Sequence, residues 1–304
     1  MTAVHDPVMV AEVVSALGCR PGGFWVDATV GAGGHAAAIL EHTAPNGFLL
    51  GIDRDQEILE RAAAHLAAYS GRCELAHGNF GELGAILARK GRGPVDGVLI
   101  DLGLSSLQLD QPERGFSFRT DAPLDMRMDR GERDTALDLV TSAREEELAR
   151  IIYEYGEERK SRRIARAICR ERERGGVLTT QRLAQAVAGA IGGHGPRSGR
   201  IHPATRTFQA LRIAVNGELE ALAAALAAIP ALLAPGGRAC VIAYHSLEDR
   251  AVKQAFRALA PLGRSAEPAA FFVLTKKPER PGAAELQRNP RARSARLRAI
   301  ARAA

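Results

Sequence analysis

Residues 24–35 constrain the fold of this chain more than any other stretch. An apolar run at 24–28, preceded by two glycines, predicts a buried strand. The glycines that follow it let the backbone turn sharply and approach a ligand closely. A helix from about residue 35 to residue 41 would then point its free N–H groups at that ligand. We therefore predict a nucleotide-like cofactor at this turn.

The glycine turn by itself leaves two classes of enzyme open. Gly31, Gly33 and Ala36 satisfy the dinucleotide-binding pattern G-x-G-x-x-G/A. Asp53 ends the next predicted strand, where its carboxylate would hold ribose hydroxyls, or would instead cap the helix that follows. A nicotinamide-dependent oxidoreductase and an S-adenosylmethionine-dependent enzyme share all of these features.

Alternating strands and helices predict an α/β fold. Apolar runs at 24–28, 47–53, 73–77 and 95–101 read as strands, and helical periodicity lies between them, for example at 56–68. Such alternation implies right-handed βαβ crossovers, and hence a doubly wound, mostly parallel sheet with helices on both faces.

The alternation stops after Asp101 and resumes near the C-terminus. No apolar strand run occurs from about 112 to 206, where helical periodicities predict an inserted helical domain. Strand character returns at 238–244, after a predicted helix at 218–233 and before another at 247–259, and the segments 271–275 and 295–301 predict an antiparallel pair at one edge of the sheet. We therefore predict one domain from 1–110 and 209–304, interrupted by a helical domain at 111–208.

Charge and composition bear on the partner and the cellular setting. The net charge is +6, and residues 276–304 carry nine basic residues against two acidic ones. This excess favours a polyanionic partner, although a solvated basic tail is the alternative. The four cysteines are scattered, so we expect neither a disulfide framework nor a structural metal site, and a reducing cytoplasm as the setting. Residues 1–7 contain no signal-peptide pattern, and the apolar stretch 218–235 is too short and broken to predict a membrane span.

Polar or aromatic residues follow five of the predicted strands. In an open parallel sheet, ligands bind beyond the carboxyl ends of the strands. The candidate residues at these ends are Gly33, Gly34, His35, Asp53, Phe80, Asp101, Tyr244 and His245. Taken singly, Phe80 is more often a core residue, and the histidines are as often structural as catalytic. Their joint position predicts one site that takes a cofactor and a substrate.

Several motifs make the chain recognisable. They include DATVGAGGH at 27–35, DLGLSS at 101–106, QLD at 108–110, RGFSF at 114–118, PLDMRM at 123–128, HPATRTFQALR at 202–212, HSLEDR at 245–250 and NPRARSARLR at 289–298. With these segments the chain resembles the bacterial ribosomal small-subunit (16S) RNA methyltransferase family that modifies the exocyclic amine of a cytosine. The resemblance covers nearly the whole chain.

The resemblance implies a fold, a cofactor and a set of binding residues. The fold would be the Rossmann-like sheet of class I S-adenosylmethionine-dependent methyltransferases, with a helical insertion that recognises RNA. S-adenosyl-L-methionine would be the methyl donor, and no metal is expected. By motif, Gly33, Gly34 and His35 would cradle its methionine end, Asp53 would bind the ribose, Phe80 would lie on the adenine, and Asp101 and Gln108 would complete the pocket. The substrate would be a specific cytidine of small-subunit ribosomal RNA, free or within the assembled 30S subunit, and a homodimer is left open.

The chemistry of the exocyclic amine favours particular catalytic residues. Its lone pair is delocalised into the ring, so acceptors that hold its N–H bonds would favour attack on a methyl group. We predict Asp101 and the loop at 104–106, which contains Ser105, for this role, and His245 or water as the proton acceptor. Phe116, Phe118 or Tyr244 would stack on the unpaired base. A non-catalytic RNA-binding factor that retains the fold is the remaining alternative.

Overall fold

The computed structural model describes residues 7–175, 178–192, 202–260 and 269–304. The chain divides into two compact units. The first, here called the sheet unit, comprises Met1–Gly103 and Leu219–Ala304. The second, here called the helical unit, comprises Leu104–Glu218.

The sheet unit alternates strands and helices in the order that its apolar runs predict. Its strands are β1 (Phe24–Asp27), β2 (Phe48–Asp53), β3 (Cys73–His77), β4 (Val95–Asp101), β5 (Leu233–Ala243), β6 (Phe271–Val273) and β7 (Arg296–Arg302). Its helices are α1 (Val10–Leu17), α2 (Gly34–His42), α3 (Gln56–His65), α4 (Leu83–Arg89), α11 (Glu218–Leu232), α12 (Ser246–Leu259) and α13 (Ala283–Arg288).

The seven strands form one sheet in the order β3-β2-β1-β4-β5-β7-β6. The first five strands in this order pair in parallel, so their carboxyl ends lie along the same edge, which we call the carboxyl edge. β7 runs antiparallel to both β5 and β6. The predicted fold class, a doubly wound and mostly parallel class I methyltransferase sheet, is confirmed, as is the antiparallel pair at its end.

Alternate residues of each strand enter different hydrophobic cores. Trp25 and Leu49 pack on one face of the sheet with α1, α2 and α3. Val26 and Leu50, one position further along, pack on the other face with α4, α11 and α12. Since successive strand residues point to opposite faces, strands covered on both sides must be apolar throughout, which is why they appear as continuous apolar runs in the sequence.

The helical unit contains α5 (Ser106–Asp110), α6 (Ala136–Ser142), α7 (Glu145–Gly156), α8 (Ser161–Glu173), α9 (Thr180–Ile191) and α10 (Thr205–Asn216). Its core includes Leu148, Ile152, Ile164, Ile168 and Leu211. α8 buries Ile164 and Ile168 in this core while four of its arginines are exposed, as expected for an amphipathic helix.

The observed units divide the chain at Gly103 and Glu218. We predicted boundaries after residues 110 and 208. Both ends of the helical unit are longer than predicted, because α5 and most of α10 pack with this unit. The RNA-recognition role of the insertion stays a prediction.

Among the described residues, no single helix is long and apolar enough to cross a membrane. The bent pair α10 and α11 meets the same criterion jointly, by length and composition only. The predicted absence of a signal peptide concerns residues 1–7, of which 1–6 lie outside the described part of the chain.

Candidate active site

The glycine turn connects β1 to α2 and requires left-handed backbone conformations. Gly31 has φ = 54° and Gly33 has φ = 90°. Residues with a Cβ adopt such backbone conformations only at a cost in free energy. A Cβ at Gly33 would lie 3.0 Å from Leu66, and one at Gly34 would lie 2.9 Å from Pro7, so both positions are backed by protein. A Cβ on Gly31 would meet only the Thr29 carbonyl, at 3.9 Å. Gly31 is therefore the glycine beside open space.

Asp53 ends β2 and supports the glycine turn. Its Oδ2 accepts the N–H of Gly31 at 2.9 Å, and its Oδ1 accepts the N–H of Asp55 at 3.0 Å. The helix α3 is capped by Asp55, whose side chain accepts the N–H of Glu57, so Asp53 is not the cap. Burial raises the pKa of Asp53 to about 6, against the lowering effect of these hydrogen bonds. Asp53 is half-buried, so part of the residue remains accessible.

Phe80 follows β3 next to Asp53. The N–H of Gly78 donates to the Asp53 carbonyl oxygen at 2.9 Å, two residues before Phe80. The ring is half-buried and packs in part against the core on the α4 side of the sheet. Phe80 therefore has both a structural contact and an accessible portion at the carboxyl edge.

Asp101, the last residue of β4, is held by groups from two neighbouring strands. Its N–H donates to Thr29 Oγ1 at 2.6 Å, and its Oδ1 accepts the Tyr244 hydroxyl at 3.0 Å. Its Oδ2 lies 3.7 Å from Nδ1 of His35. With 21% of the side chain exposed, Oδ2 is the oxygen left for a ligand.

The surroundings of Asp101 make its carboxyl group a weaker acid. Burial raises the pKa of Asp101 to about 7, the Tyr244 hydrogen bond opposes this rise, and the charge of Glu248 adds to it. Burial and the Asp101 charge in turn keep the pKa of Tyr244 well above its ordinary value, so the tyrosine stays a hydrogen-bond donor. The carboxyl group of Asp101 can thus hold or release a proton near neutral pH.

His35 lies in the first turn of α2 and is buried. Its Nε2 lies 2.8 Å from the carbonyl oxygen of Val8, so Nε2 carries the proton in this hydrogen bond. His35 therefore ties the segment before α1 to the glycine turn and presents Nδ1 to Asp101.

His245 is the N-cap of α12. Its Nδ1 accepts the N–H of Glu248 at 3.4 Å, and its Nε2 lies 3.0 Å from Oε1 of Glu248. The other oxygen of Glu248 accepts the N–H groups of Tyr244 and His245. Nδ1 is thus engaged in the cap, whereas the buried Nε2 lies near Glu248 Oε1 without a hydrogen-bond partner among the described residues. The role of His245 as proton acceptor stays a prediction.

Asp27 belongs to the same site, although the strand-end analysis did not include it. It ends β1, is 1% exposed, and its Oδ1 accepts the N–H of Thr29 at 3.2 Å. Its Oδ2 has no hydrogen-bond partner within the described residues. Burial raises the pKa of Asp27 to about 7, and the charges of Asp53 and Asp101 add to the rise. The signal that could have found it is an acidic residue ending an apolar strand directly before the glycine turn.

Three carboxyl groups therefore end adjacent strands of the sheet. Asp27 pairs in register with Gly51 of β2 and Leu99 of β4, so Asp53 and Asp101 each extend two residues beyond it. Each carboxyl group has a raised pKa, and a cation placed beside them would favour their ionised forms.

Ser105 and Gln108 lie in the helical unit and form a capping box at the start of α5. Ser105 Oγ accepts the N–H of Gln108, and Gln108 Oε1 accepts the N–H of Ser105. Gln108 is 4% exposed. Their predicted catalytic and donor-binding roles remain predictions.

The predicted stacking residues differ in how much of each ring is accessible. Phe116 is buried in the core of the helical unit, so it offers no face to a base, and that expectation was wrong. Phe118 packs against Phe208 and His202, with ring centroids 4.8 Å and 4.6 Å away. Tyr244 remains half-buried beside Asp101.

A separate cavity of about 460 Å³ lies elsewhere in the sheet unit. It is lined by residues of α1, by Arg238 near the amino end of the β5 pairing with β4, and by Thr275 and Glu279. None of the predicted site residues lines it.

The chain matches one protein family over nearly its whole length. The model of the MraW methylase family matches residues 2–303. The chain is 52% identical to "Ribosomal RNA small subunit methyltransferase H" of Syntrophotalea carbinolica, over 98% of each chain. It is 52% identical to the protein of the same name from Geobacter sulfurreducens, over 98% of this chain and 99% of that one. It is 51% identical to the protein of that name from Sorangium cellulosum, over 98% of this chain and 90% of that one. The chain belongs to the MraW methylase family.

Proposed function

We propose that this protein transfers a methyl group from S-adenosyl-L-methionine to the exocyclic amine of a specific cytidine in small-subunit (16S) ribosomal RNA. The observation that carries the proposal is the row of carboxyl groups of Asp27, Asp53 and Asp101 on adjacent strand ends. The names of the relatives support the reaction and the substrate. Membership of a methylase family also favours methyl transfer over the oxidoreductase alternative.

The residues present fit this donor. S-adenosylmethionine carries positive charge on its sulfonium and amino groups, and a bound molecule supplies an electrophilic methyl group. Asp27 has a buried oxygen without a partner in the described chain, and Gly31 borders open space. We assign the methionine end to the turn at Gly33, Gly34 and His35, where the first N–H groups of α2 have no intrahelical partner and suit a carboxylate.

Two further residues complete the assignment for the donor. The Asp53 carboxylate would accept hydrogen bonds from the ribose hydroxyls. The accessible part of the Phe80 ring would lie on the adenine. Both side chains lie on neighbouring strand ends, as one nucleoside requires.

Asp101 prepares the amine for methylation. Its Oδ2 would accept an N–H of the cytosine amine, which draws the nitrogen lone pair away from the ring and stabilises the positive charge that develops on nitrogen. The Tyr244 hydroxyl fixes Oδ1 and opposes the rise in pKa, so that Asp101 is ionised in a substantial fraction of molecules near pH 7. The base must be unpaired to reach this position.

The proton leaves the amine after the new N–C bond forms. We propose water as its acceptor, because Nδ1 of His245 caps α12 and its Nε2 is buried beside Glu248 Oε1. The predicted roles of His245, Ser105 and Gln108 can be tested individually by substitution in the same assay.

The finer statements about the partner also stay proposals. Parallel assays on naked small-subunit RNA and on assembled 30S subunits would identify the preferred substrate, and sedimentation would establish whether the protein is a homodimer. A ribosomal substrate would place the protein in the bacterial cytoplasm. RNA recognition by the helical unit is tested by its effect on the KM for RNA.

The direct test is incubation of the protein with unmodified small-subunit RNA and S-adenosylmethionine labelled in its methyl group. After digestion to nucleosides, mass spectrometry should find the label on the exocyclic nitrogen of cytidine. Asp101→Asn should abolish transfer while the variant still binds the donor. The matched control, Asp96→Asn, changes a carboxylate at the other end of β4 and should retain activity.

Three results would contradict the proposal. Label on another atom would refute the assigned amine chemistry, and binding of NAD without binding of S-adenosylmethionine would restore the oxidoreductase alternative. RNA binding without any methyl transfer would favour the non-catalytic RNA-binding factor.

A further inference from the structure

Eight of the nine basic residues of 276–304 fall into two groups. Three are held within the fold: Asp249 pairs with Arg296 at 3.3 Å and with Arg298 at 2.6 Å, and Arg302 donates to the Leu233 carbonyl at 2.6 Å. Their charges are neutralised or committed to the sheet. These three residues account for the basic character of β7 without any external partner.

The second group is exposed. It comprises Lys276, Lys277, Arg280, Arg288 and Arg293, which we call the C-terminal basic cluster. Within the described ranges, none of the five forms an ion pair or a side-chain hydrogen bond. Arg291 is also exposed but interacts with other groups of the chain, so it is not counted. Of the two acidic residues nearby, Glu285 is half-buried and accepts the N–H of Met9.

The strand register brings part of the cluster to the carboxyl edge. Arg296, the first residue of β7, pairs with Ala243 at the carboxyl end of β5. Glu279 forms a bridge with Leu297, so the chain from β6 has reached this same edge when it arrives at Arg280. Arg293 lies three residues before β7. Basic side chains therefore flank the edge on which Asp101 lies.

A chain of contacts connects α13 to the site itself. Oε1 of Glu285 accepts the N–H of Met9 at 2.7 Å, and the carbonyl of the preceding residue, Val8, accepts Nε2–H of His35. His35 faces Asp101 across 3.7 Å. Arg288, the last residue of α13, is thus anchored within a few contacts of the catalytic carboxylate.

The five exposed cations have no ion-pair or side-chain hydrogen-bond partner in the described part of the chain, and a polyanion would bind them with release of its counterions. We propose that the C-terminal basic cluster binds the phosphates of the RNA strand next to the target cytidine and so positions that base at Asp101. This inference rests on the proposed function, because it takes the RNA substrate from it. It assigns the cluster to substrate binding and not to the chemical step.

The test compares two triple variants. The first, K276Q/K277Q/R280Q, removes three charges of the cluster. The control, R61Q/R89Q/R257Q, removes three charges from exposed positions on α3, α4 and α12. Both are measured with single-stranded small-subunit RNA at a series of salt concentrations, and in methyl transfer with separate kcat and KM.

The cluster variant should bind RNA about a hundredfold more weakly at ~0.1 M salt, with a slope of log affinity against log salt reduced by about 2, since each single-strand phosphate contact contributes about 0.7. Its KM for RNA should rise accordingly. Its kcat at saturating RNA and its affinity for S-adenosylmethionine should stay unchanged, because the cluster does not touch the donor site. The control should match the wild type.

An unchanged salt slope in the cluster variant would overturn the inference, as would an equal loss in the control. Binding of phosphatidylglycerol vesicles that depends on the cluster, with RNA binding unaffected, would assign the cluster to a membrane surface and also overturn it. If the wild type itself methylates no cytidine, the proposed function is refuted. An unchanged salt slope in the cluster variant refutes only the assignment of this surface.

Discussion

Replacing Asp27 with asparagine should stabilise the protein at high pH. The pKa of Asp27 rises from its ordinary 3.8 to about 7 in the native state, chiefly through burial. The native protein therefore keeps a proton that the unfolded chain loses between about pH 4 and pH 7, and the stability contributed by this group declines as pH rises through that window. About three pKa units at 1.36 kcal/mol each give a loss of about 4 kcal/mol by pH 8. Asparagine does not titrate, so the variant avoids this loss of stability.

The measurement is urea unfolding of the wild type and Asp27→Asn at pH 4, 6 and 8, without donor. The stability of the variant relative to wild type should increase by about 4 kcal/mol across this range. Asp134→Asn, at an exposed position, is the control and should show no such trend. The same Asp27→Asn variant should bind S-adenosylmethionine more weakly at pH 8. A stability difference that does not vary with pH would refute the assignment of a buried, protonated Asp27.

Two other substitutions test separate parts of the structure. Tyr244→Phe removes the hydroxyl that donates to Asp101, so the pKa of Asp101 should rise further, the ascending limb of the pH–rate profile should move to higher pH, and turnover near pH 7 should fall about tenfold, as expected for a hydrogen bond to a charged group. Superimposable pH profiles would contradict this role. Asn216→Ala removes a buried amide that accepts the N–H of Met128 and donates to the carbonyl of Met126, each at 2.8 Å. Because buried backbone groups lose their partners, unfolding of the helical unit should require about 2–4 kcal/mol less, measured by urea denaturation. A loss no larger than that of the exposed control Gln185→Ala would contradict the assigned role.

The sheet was predictable because its strands are apolar on both faces. β3 and β4 have the predicted bounds, since Val98 and Ile100 face one core while Leu99 faces the other, and turn residues end each run. The helices α6 to α9 lie within 112–206, where helical periodicity was predicted. The short helices α5 and α13 were not predicted, because five or six residues contain too little periodicity to identify a buried face.

The candidate site was predictable only in part. The position of polar residues at strand ends identified Asp53 and Asp101, because parallel strands align their carboxyl ends. The sequence did not show which side chains of the site are already engaged by hydrogen bonds or buried within the fold. The capping box that engages His245 depends on the conformation before α12, and the buried state of Asp27 depends on the packing of the glycine turn.

The pairing of β4 with β5 joins segments that are separated in sequence by the whole helical unit. During synthesis, β4 leaves the ribosome with the backbone N–H and C=O groups of one edge unpaired. Its partner β5 follows only after more than a hundred further residues. The nascent chain thus exposes an aggregation-prone edge throughout that interval. We expect the helical unit to fold first, and the sheet to close only when the last third of the chain has emerged.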